Sequence, residues 1–406
     1  MRLSINRETL LRGIGRTLGV VDRRGTMPIL ANFLLQTDEN RVIISATDLE
    51  VSFRGFYPAE VQEHGALTVQ AHYFFNLIKE LPGETLELTG TENSNLKIQA
   101  GDARYQLHGL PADQFPPVPE ITDQEMVQVE SGMVKEMIEK TIFSVSADDL
   151  QYHLSSIFWE RVGFPRGGPE QELPKPELSL EGAPGEEGVE PEPELDYWLR
   201  LISTDGHRLT LVERPLPLSG QFAMAKGILI PRKGMAEVIR FLAEEEQVSL
   251  GLGKQSLALK ADDRYLFIRL LLDKKFPDYR RIIPESFAYK FAINRRVFFD
   301  TIRRIALLST ERFKGVILKL MPDHLEVTFN NPEVGEGREV VGLFMEQGDA
   351  NALPMEIGFN ARYFLEPLNA MTSDMVILKV NEKDRPCCLV DQTDPHYLSI
   401  IMPMSL

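Results

Sequence analysis

The residues most like a reactive centre lie in one string, Ser203-Thr204-Asp205-Gly206-His207-Arg208-Leu209. A carboxylate and an imidazole two residues apart can share a divalent metal or exchange a proton. On that reading the chain would be a metal-dependent nuclease or phosphatase working through Asp205 and His207. The rest of the chain supplies no partners for such chemistry. There is no GxxxxGK[ST] phosphate loop, no paired zinc-ligand spacing and no nucleophile elbow. The seven histidines are scattered, and the two cysteines, Cys387 and Cys388, are adjacent. That spacing disfavours a mutual bridge and leaves no disulfide framework, which fits a reducing compartment. No metal or cofactor is implied.

Two other stretches occupy the equivalent place, Ala46-Thr47-Asp48-Leu49-Glu50 and Phe329-Asn330-Asn331-Pro332. A place that keeps its shape while its polar group changes from Asp to Asn reads as a strand-end turn. Asp205 is therefore expected to be a turn residue. His207 and Arg208 have no counterpart in the other two stretches.

The elements that would position these turns recur three times. Ala71–Leu81, Arg232–Leu242 and Ala361–Met371 share one helical pattern, each after a short apolar strand and before an alternating one. An earlier helix opens each repeat. Asn6 is a good N-cap ahead of Leu10, Leu11, Ile14 and Leu18. Asn294 stands likewise ahead of Phe298, Phe299, Ile302 and Ala306, and Val129, Val134, Ile138 and Ile142 hold the register in the middle repeat. Leu110 to Pro116 and Leu272 to Pro277 rhyme as repeat ends, with linkers placed at Pro116 to Thr122 and Pro284 to Ala288. The expected domains are 1–120, 121–285 and 286–406. Pro367 should kink or shorten the last helix.

The net charge of -16 argues against indiscriminate attachment to nucleic acid. Cations nevertheless recur on the helices, opposite their apolar stripes. Arg16, Lys140 and Arg304 share one register position, Lys79 and Arg240 another, and Arg23 and Arg24 follow the first helix. If the repeats curve about one axis, these cations pool on one side, a surface suited to nonspecific contact with the phosphates of a polyanion. No apolar run approaches a membrane span, and the N-terminus reads as a strand rather than a signal peptide. A cytoplasmic protein is expected.

Several strings in order, Thr26-Met-Pro-Ile-Leu30, Ala46 to Glu50, Ser203 to Leu209, Phe276-Pro-Asp-Tyr-Arg-Arg281 and Met402-Pro403-Met404, resemble the bacterial DNA polymerase III beta subunit family, the sliding clamps. The resemblance spans the chain except for one acidic stretch. It implies an α+β fold of three clamp-type domains, each of two helices backed by antiparallel sheets. Two chains would assemble head to tail into a ring, with helices lining the central channel. It also implies a processivity factor without catalytic activity, near the nucleoid. That factor encircles duplex DNA and tethers the replicative polymerase subunit, clamp-loader subunits and other proteins carrying a clamp-binding motif.

By the resemblance, Arg24 contacts DNA; Arg23 is added as its neighbour after the first helix, and Arg16, Lys79, Lys140, Arg240 and Arg304 from helix register. A peptide pocket would be built from Leu154, Thr204, Gly206, His207, Arg208, Leu209, Pro284, Tyr363, Ile400, Ile401, Met402, Pro403 and Met404. The stem of Arg208 and the tail methionines would make an adaptable slot. Tyr105 and Leu107 would meet Leu307 and Leu308 across the dimer interface, although the pattern alone fits internal packing equally well.

The chain departs from the family at Ser405, where a basic residue is common, and at Gln151 and His153 beside the pocket. Arg166 to Asp196 carries ten acidic residues against Arg166 and Lys175. It reads as a mobile acidic loop that could tune partner choice. The competing reading is a repeat scaffold that binds only proteins, with no DNA in its channel.

Overall fold

Asn6 and Asn294 each end a short strand and cap the helix that follows. Their side-chain oxygens accept the backbone N–H of Thr9 at 3.1 Å and of Val297 at 3.0 Å, satisfying donors that a helix start leaves without partners. The computed structural model describes residues 1–22, 25, 27–119, 126–148, 151, 153–165, 195–216, 227–310 and 314–404. Among the described residues there are six α-helices, α1 (Arg7–Thr17), α2 (Ala71–Glu80), α3 (Ser131–Glu139), α4 (Arg232–Leu242), α5 (Arg295–Ile305) and α6 (Arg362–Ala370). The three recurrent stretches are α2, α4 and α6. Pro367 lies inside α6, which runs nine residues against ten in α2 and eleven in α4.

The helices bury stripes at helical spacing: Leu10, Gly13, Ile14 and Thr17 in α1, and Phe298, Thr301, Ile302 and Ile305 in α5. Burying one Leu or Ile of this kind stabilises the fold by about 1.5–3 kcal/mol. Gly234 in α4 permits close approach to a strand, because a Cβ there would lie 2.4 Å from Ile268 Cγ2.

The chain forms two compact units. The described part of the first falls within 1–135 and 233–271, and holds a five-stranded and a nine-stranded sheet among the described residues. The five strands run Glu60–Glu63, Arg2–Asn6, Thr85–Gly90, Leu96–Ala100 and Ala103–Leu107 in spatial order. In the nine-stranded sheet Val51–Pro58 pairs antiparallel with Arg264–Arg269, Phe53 opposite Leu266, so strands of the first and second repeats share one sheet.

The second unit, within 136–218, 227–232 and 272–406, is built on a twelve-stranded antiparallel sheet. There Arg208–Pro215 pairs with Asp394–Ile401, Leu209 opposite Ile400, joining the second repeat to the third. These junctions turn what would be exposed sheet edges into interior strands. The segments that begin at the rhyming repeat ends have a physical role. Phe115 and Val118 pack with Ile29, Leu30, Ala258 and Phe267, while Tyr279, Ile283 and Phe287 pack with Ile202, Leu211, Ile377 and Leu398. The stretch read as a linker at Pro284 to Ala288 is thus anchored through buried Phe287.

A buried polar network holds the same connecting segment. Arg200 donates to Glu160 at 3.1 Å, to Glu213 at 2.5 Å and to the Tyr279 hydroxyl at 2.7 Å. Burial works against the Arg200 charge, but Glu213, Tyr279 and Glu160 outweigh it and raise the guanidinium pKa further.

Candidate functional site

The three turns are built alike. The Asp48 carboxylate accepts the N–H groups of Glu50 and Val51, Asp205 those of His207 and Arg208, and Asn331 that of Glu333. Gly206 sits at φ +87°, and Leu49 adopts φ 77° at the equivalent place. Asp205 is therefore engaged in shaping a turn, as its recurrence implied. Among the described residues no group of three His, Cys, Asp or Glu side chains is placed to hold a metal.

The cations chosen from helix register fall into three classes. Lys79 is exposed and makes no ion pair among the described residues. Arg240 and Arg304 are open to solvent, with side chains 64% and 53% exposed, but each is held by a carboxylate, Glu237 and Glu339. Arg16 and Lys140 overturn the expectation of a solvent-facing register. The Arg16 side chain is only 18% exposed and donates from Nε to Glu244 at 2.9 Å. The Lys140 side chain is 5% exposed, with its ammonium 2.6 Å from Glu136 and 2.7 Å from Asp394 and over the Tyr397 ring. Arg23 and Arg24 lie outside the described residues, as do Ser405 and residues 166–194 of the acidic stretch.

Between α1 and α4 a 710 Å³ cavity is lined by Arg12, Arg16, Arg240 and Arg264, with Glu237 and Glu244 between them. Glu244 serves both Arg16 and Arg264, the latter at 3.0 Å. Burial would raise the Glu244 carboxyl, but hydrogen bonding from Arg16 outweighs it and holds the group below the usual range. Burial raises Glu237 despite the nearby charge of Arg240.

Most of the residues assigned to a peptide pocket come together in the second unit. The ladder that pairs Arg208 with Ile401 continues through a bond from Met402 N–H to His207 O at 2.9 Å, and Met404 N–H reaches Gly358 O at 2.8 Å. The His207 ring stacks on Tyr363 at 6.4 Å. Thr204, Leu209, Ile400 and Ile401 are buried, whereas Gly206, His207 and Met404 are exposed and Tyr363, Met402 and Pro403 half-buried. Arg208 is anchored by its head group. Its guanidinium is buried, bonded to Asp205, Glu366 and Phe143 O, and lies 4.7 Å over Tyr363. It braces the turn from beneath.

Leu154 is half-buried, with backbone bonds to Ser146 and Gln151. Gln151 is exposed and His153 half-buried. Pro284 borders a 780 Å³ cavity with Met402, and the other walls include Arg281, Ile282, Tyr289, Met355 and Arg385. Those five were not selected from sequence. The string Phe276 to Arg281 carried the signal for one of them, Arg281, which follows the buried Tyr279 as an exposed arginine.

Tyr105 and Leu307 are exposed, so neither is internal packing, while Leu107 and Leu308 are half-buried. Ala103–Leu107 ends the order of its sheet.

Six helices, α1 packed with α2 and α5 with α6, on sheets shared between successive repeats define a three-domain clamp fold. Models of the N-terminal, central and C-terminal domains of the DNA polymerase III beta subunit match residues 1–119, 187–278 and 280–405. The chain is 30% identical over 408 residues to a beta sliding clamp of Pseudomonas putida and 31% identical over 409 residues to one of Caulobacter vibrioides, with 100% of each chain covered. It superimposes on the crystal structure of the DNA polymerase sliding clamp from Caulobacter crescentus with a TM-score of 0.85 at 29% identity, and on that of the DNA polymerase III subunit beta from Pseudomonas aeruginosa with 0.82 at 27%, covering 100% of each chain. The chain belongs to the DNA polymerase III beta subunit family.

Proposed function

We propose that two copies of this chain close head to tail into a ring around duplex DNA. The chain is a DNA sliding clamp, a processivity factor with no catalytic activity of its own. Topology rather than affinity then retains it on DNA, and weak, screened cation contacts leave it free to slide. The observation that carries this reading is two helices in each of three repeats, on sheets that cross repeat boundaries, in a chain matched over its whole length by clamps.

The proposed DNA contacts are Lys79, Arg240 and Arg304, with Arg24 by resemblance and Arg23 as its neighbour in sequence. Arg16 and Lys140 are assigned to support, because their charges are already engaged by buried or half-buried partners. Tyr105 and Leu107 of one copy meet Leu307 and Leu308 of the other, and the domains divide at 1–120, 121–285 and 286–406.

On the outside, the replicative polymerase, clamp-loader subunits and other proteins insert a short extended peptide against His207, Tyr363, Met402, Pro403 and Met404. Adaptable methionines beside buried aliphatic residues suit such a ligand. The place of work is the cytoplasm. No described helix is long and apolar enough to cross a membrane.

Negative-stain electron microscopy of the purified protein, with its mass measured by light scattering, tests the assembly. Closed rings of dimer mass with a hole wide enough for duplex DNA are expected. Compact monomers that persist at high concentration would overturn the topological reading.

A further inference from the structure

Two of the cations assigned to DNA contact are exposed yet not free. Arg304, in the last turn of α5, engages Glu339 through a two-pronged fork, Nε to Oε1 at 2.9 Å and Nη2 to Oε2 at 2.5 Å. Glu339 lies on the strand Gly335–Gln347 and also accepts from Thr301. Arg240, in the last turn of α4, engages Glu237 one turn earlier. A guanidinium fork matches carboxylate and phosphate alike, and one edge of it cannot bind both.

We infer that Glu339 and Glu237 are counter-carboxylates, which a DNA phosphate must displace before it can engage the same edge of Arg304 or Arg240. The inference rests on the clamp reading and adds to it a means of keeping contacts brief. A phosphate that takes the Nε/Nη2 edge of Arg304, or the Nη1 group of Arg240, makes a contact that is offset by a lost ion pair. Salt screening weakens all the channel cations together, whereas this device acts on chosen ones. Hydrogen bonding from Arg304 holds the Glu339 carboxyl below the usual range, so the competitor stays ionised at neutral pH. Arg16 does not take part in this exchange, because its carboxylate also serves Arg264.

The test is binding of the full-length protein to a short fluorescent duplex, by anisotropy across a salt series. Glu339→Gln is expected to tighten binding about two- to fivefold and to steepen the salt slope by up to about 0.9. Glu92→Gln removes the same charge from an exposed position without an ion pair among the described residues, and should do neither. In an Arg304→Gln background, Glu339→Gln should also have no effect.

If Glu339→Gln and Glu92→Gln tighten binding equally, bulk charge explains the change and the inference fails. If Glu339→Gln is silent while Arg304→Gln weakens binding, the inference fails and the clamp reading stands. If both Glu339→Gln and Arg304→Gln are silent, Arg304 does not meet DNA, and that contact assignment falls with the inference. Glu339 is partly exposed on its strand, so Gln is accommodated there. The more deeply buried Glu237 is the harder position to vary.

Discussion

Replacing Arg200 by Met should be among the more damaging single changes in the second unit. The substitution keeps an unbranched stem but removes the group that bonds Glu213, Glu160 and Tyr279. All four residues are buried. Removing one member of a buried ion network leaves charge without compensation and costs about 3–5 kcal/mol. The lower end applies, because Glu160 keeps Arg280 at 3.2 Å and Glu213 keeps His396 at 3.6 Å. A loss of about 3 kcal/mol corresponds to a melting temperature roughly 6–12 °C lower for a unit of this size.

The pH dependence gives a second signature. Burial alone would raise the Glu213 carboxyl, but the hydrogen bond from His396 and the charge of Arg200 outweigh it, and the folded value lies below the ordinary one. A carboxylate lowered on folding contributes stability that is fully present above its unfolded value, about 4.3, and is lost as pH falls through the folded value. Calorimetric scans of wild type and Arg200→Met from neutral to acid pH should converge as that limb is traversed. Arg281→Met, at an exposed arginine in the same segment, should stay within about 0.5 kcal/mol of wild type. An Arg200→Met protein destabilised by less than about 1 kcal/mol, or equally at every pH, would refute a desolvated network that anchors the connecting segment.

Asn294→Ala removes the cap of α5 and should cost about 1 kcal/mol in urea unfolding, while Asn294→Gly should cost only a few tenths. Lys140→Met should lower the melting temperature, because Glu136 and Asp394 lose a buried partner, and should leave duplex affinity unchanged. A fall in affinity would return Lys140 to the DNA surface. Leu307→Asp places a charge on an exposed apolar residue of the proposed interface. Sedimentation should show monomers with an unchanged circular dichroism spectrum, whereas dimers of wild-type strength would remove Leu307 from the interface.

The repeats and their turns were legible in the sequence because local rules govern them. Asn6 and Asn294 cap helices through a bond to a residue three positions on, and Asp205 bonds residues two and three ahead. Both depend on short-range spacing. The state of the cations was not legible, because their partners come from distant parts of the chain. Arg16 meets Glu244 across 228 positions and Lys140 meets Asp394 across 254. A helical wheel shows which way a lysine points but not the strand that arrives to bury it. Arg208 illustrates the same limit. Its place beside the turn could be read from the string around Asp205, but its engagement by Glu366 and the Phe143 carbonyl depends on tertiary packing. The cavity walls at Tyr289, Met355 and Arg385 also converge from separate strands and loops.

Encirclement of DNA is tested most directly by closing the ring covalently. Cysteines introduced at Tyr105 and Leu307 would form a cross-link across each proposed interface, and the native Cys387 and Cys388 are buried away from the reagent. Protein assembled on a nicked circular plasmid and cross-linked should then remain with the DNA in denaturing detergent, and a single restriction cut should release it. Cross-linked protein that leaves the intact circle in detergent would contradict encirclement, as would protein that stays on the DNA after the cut.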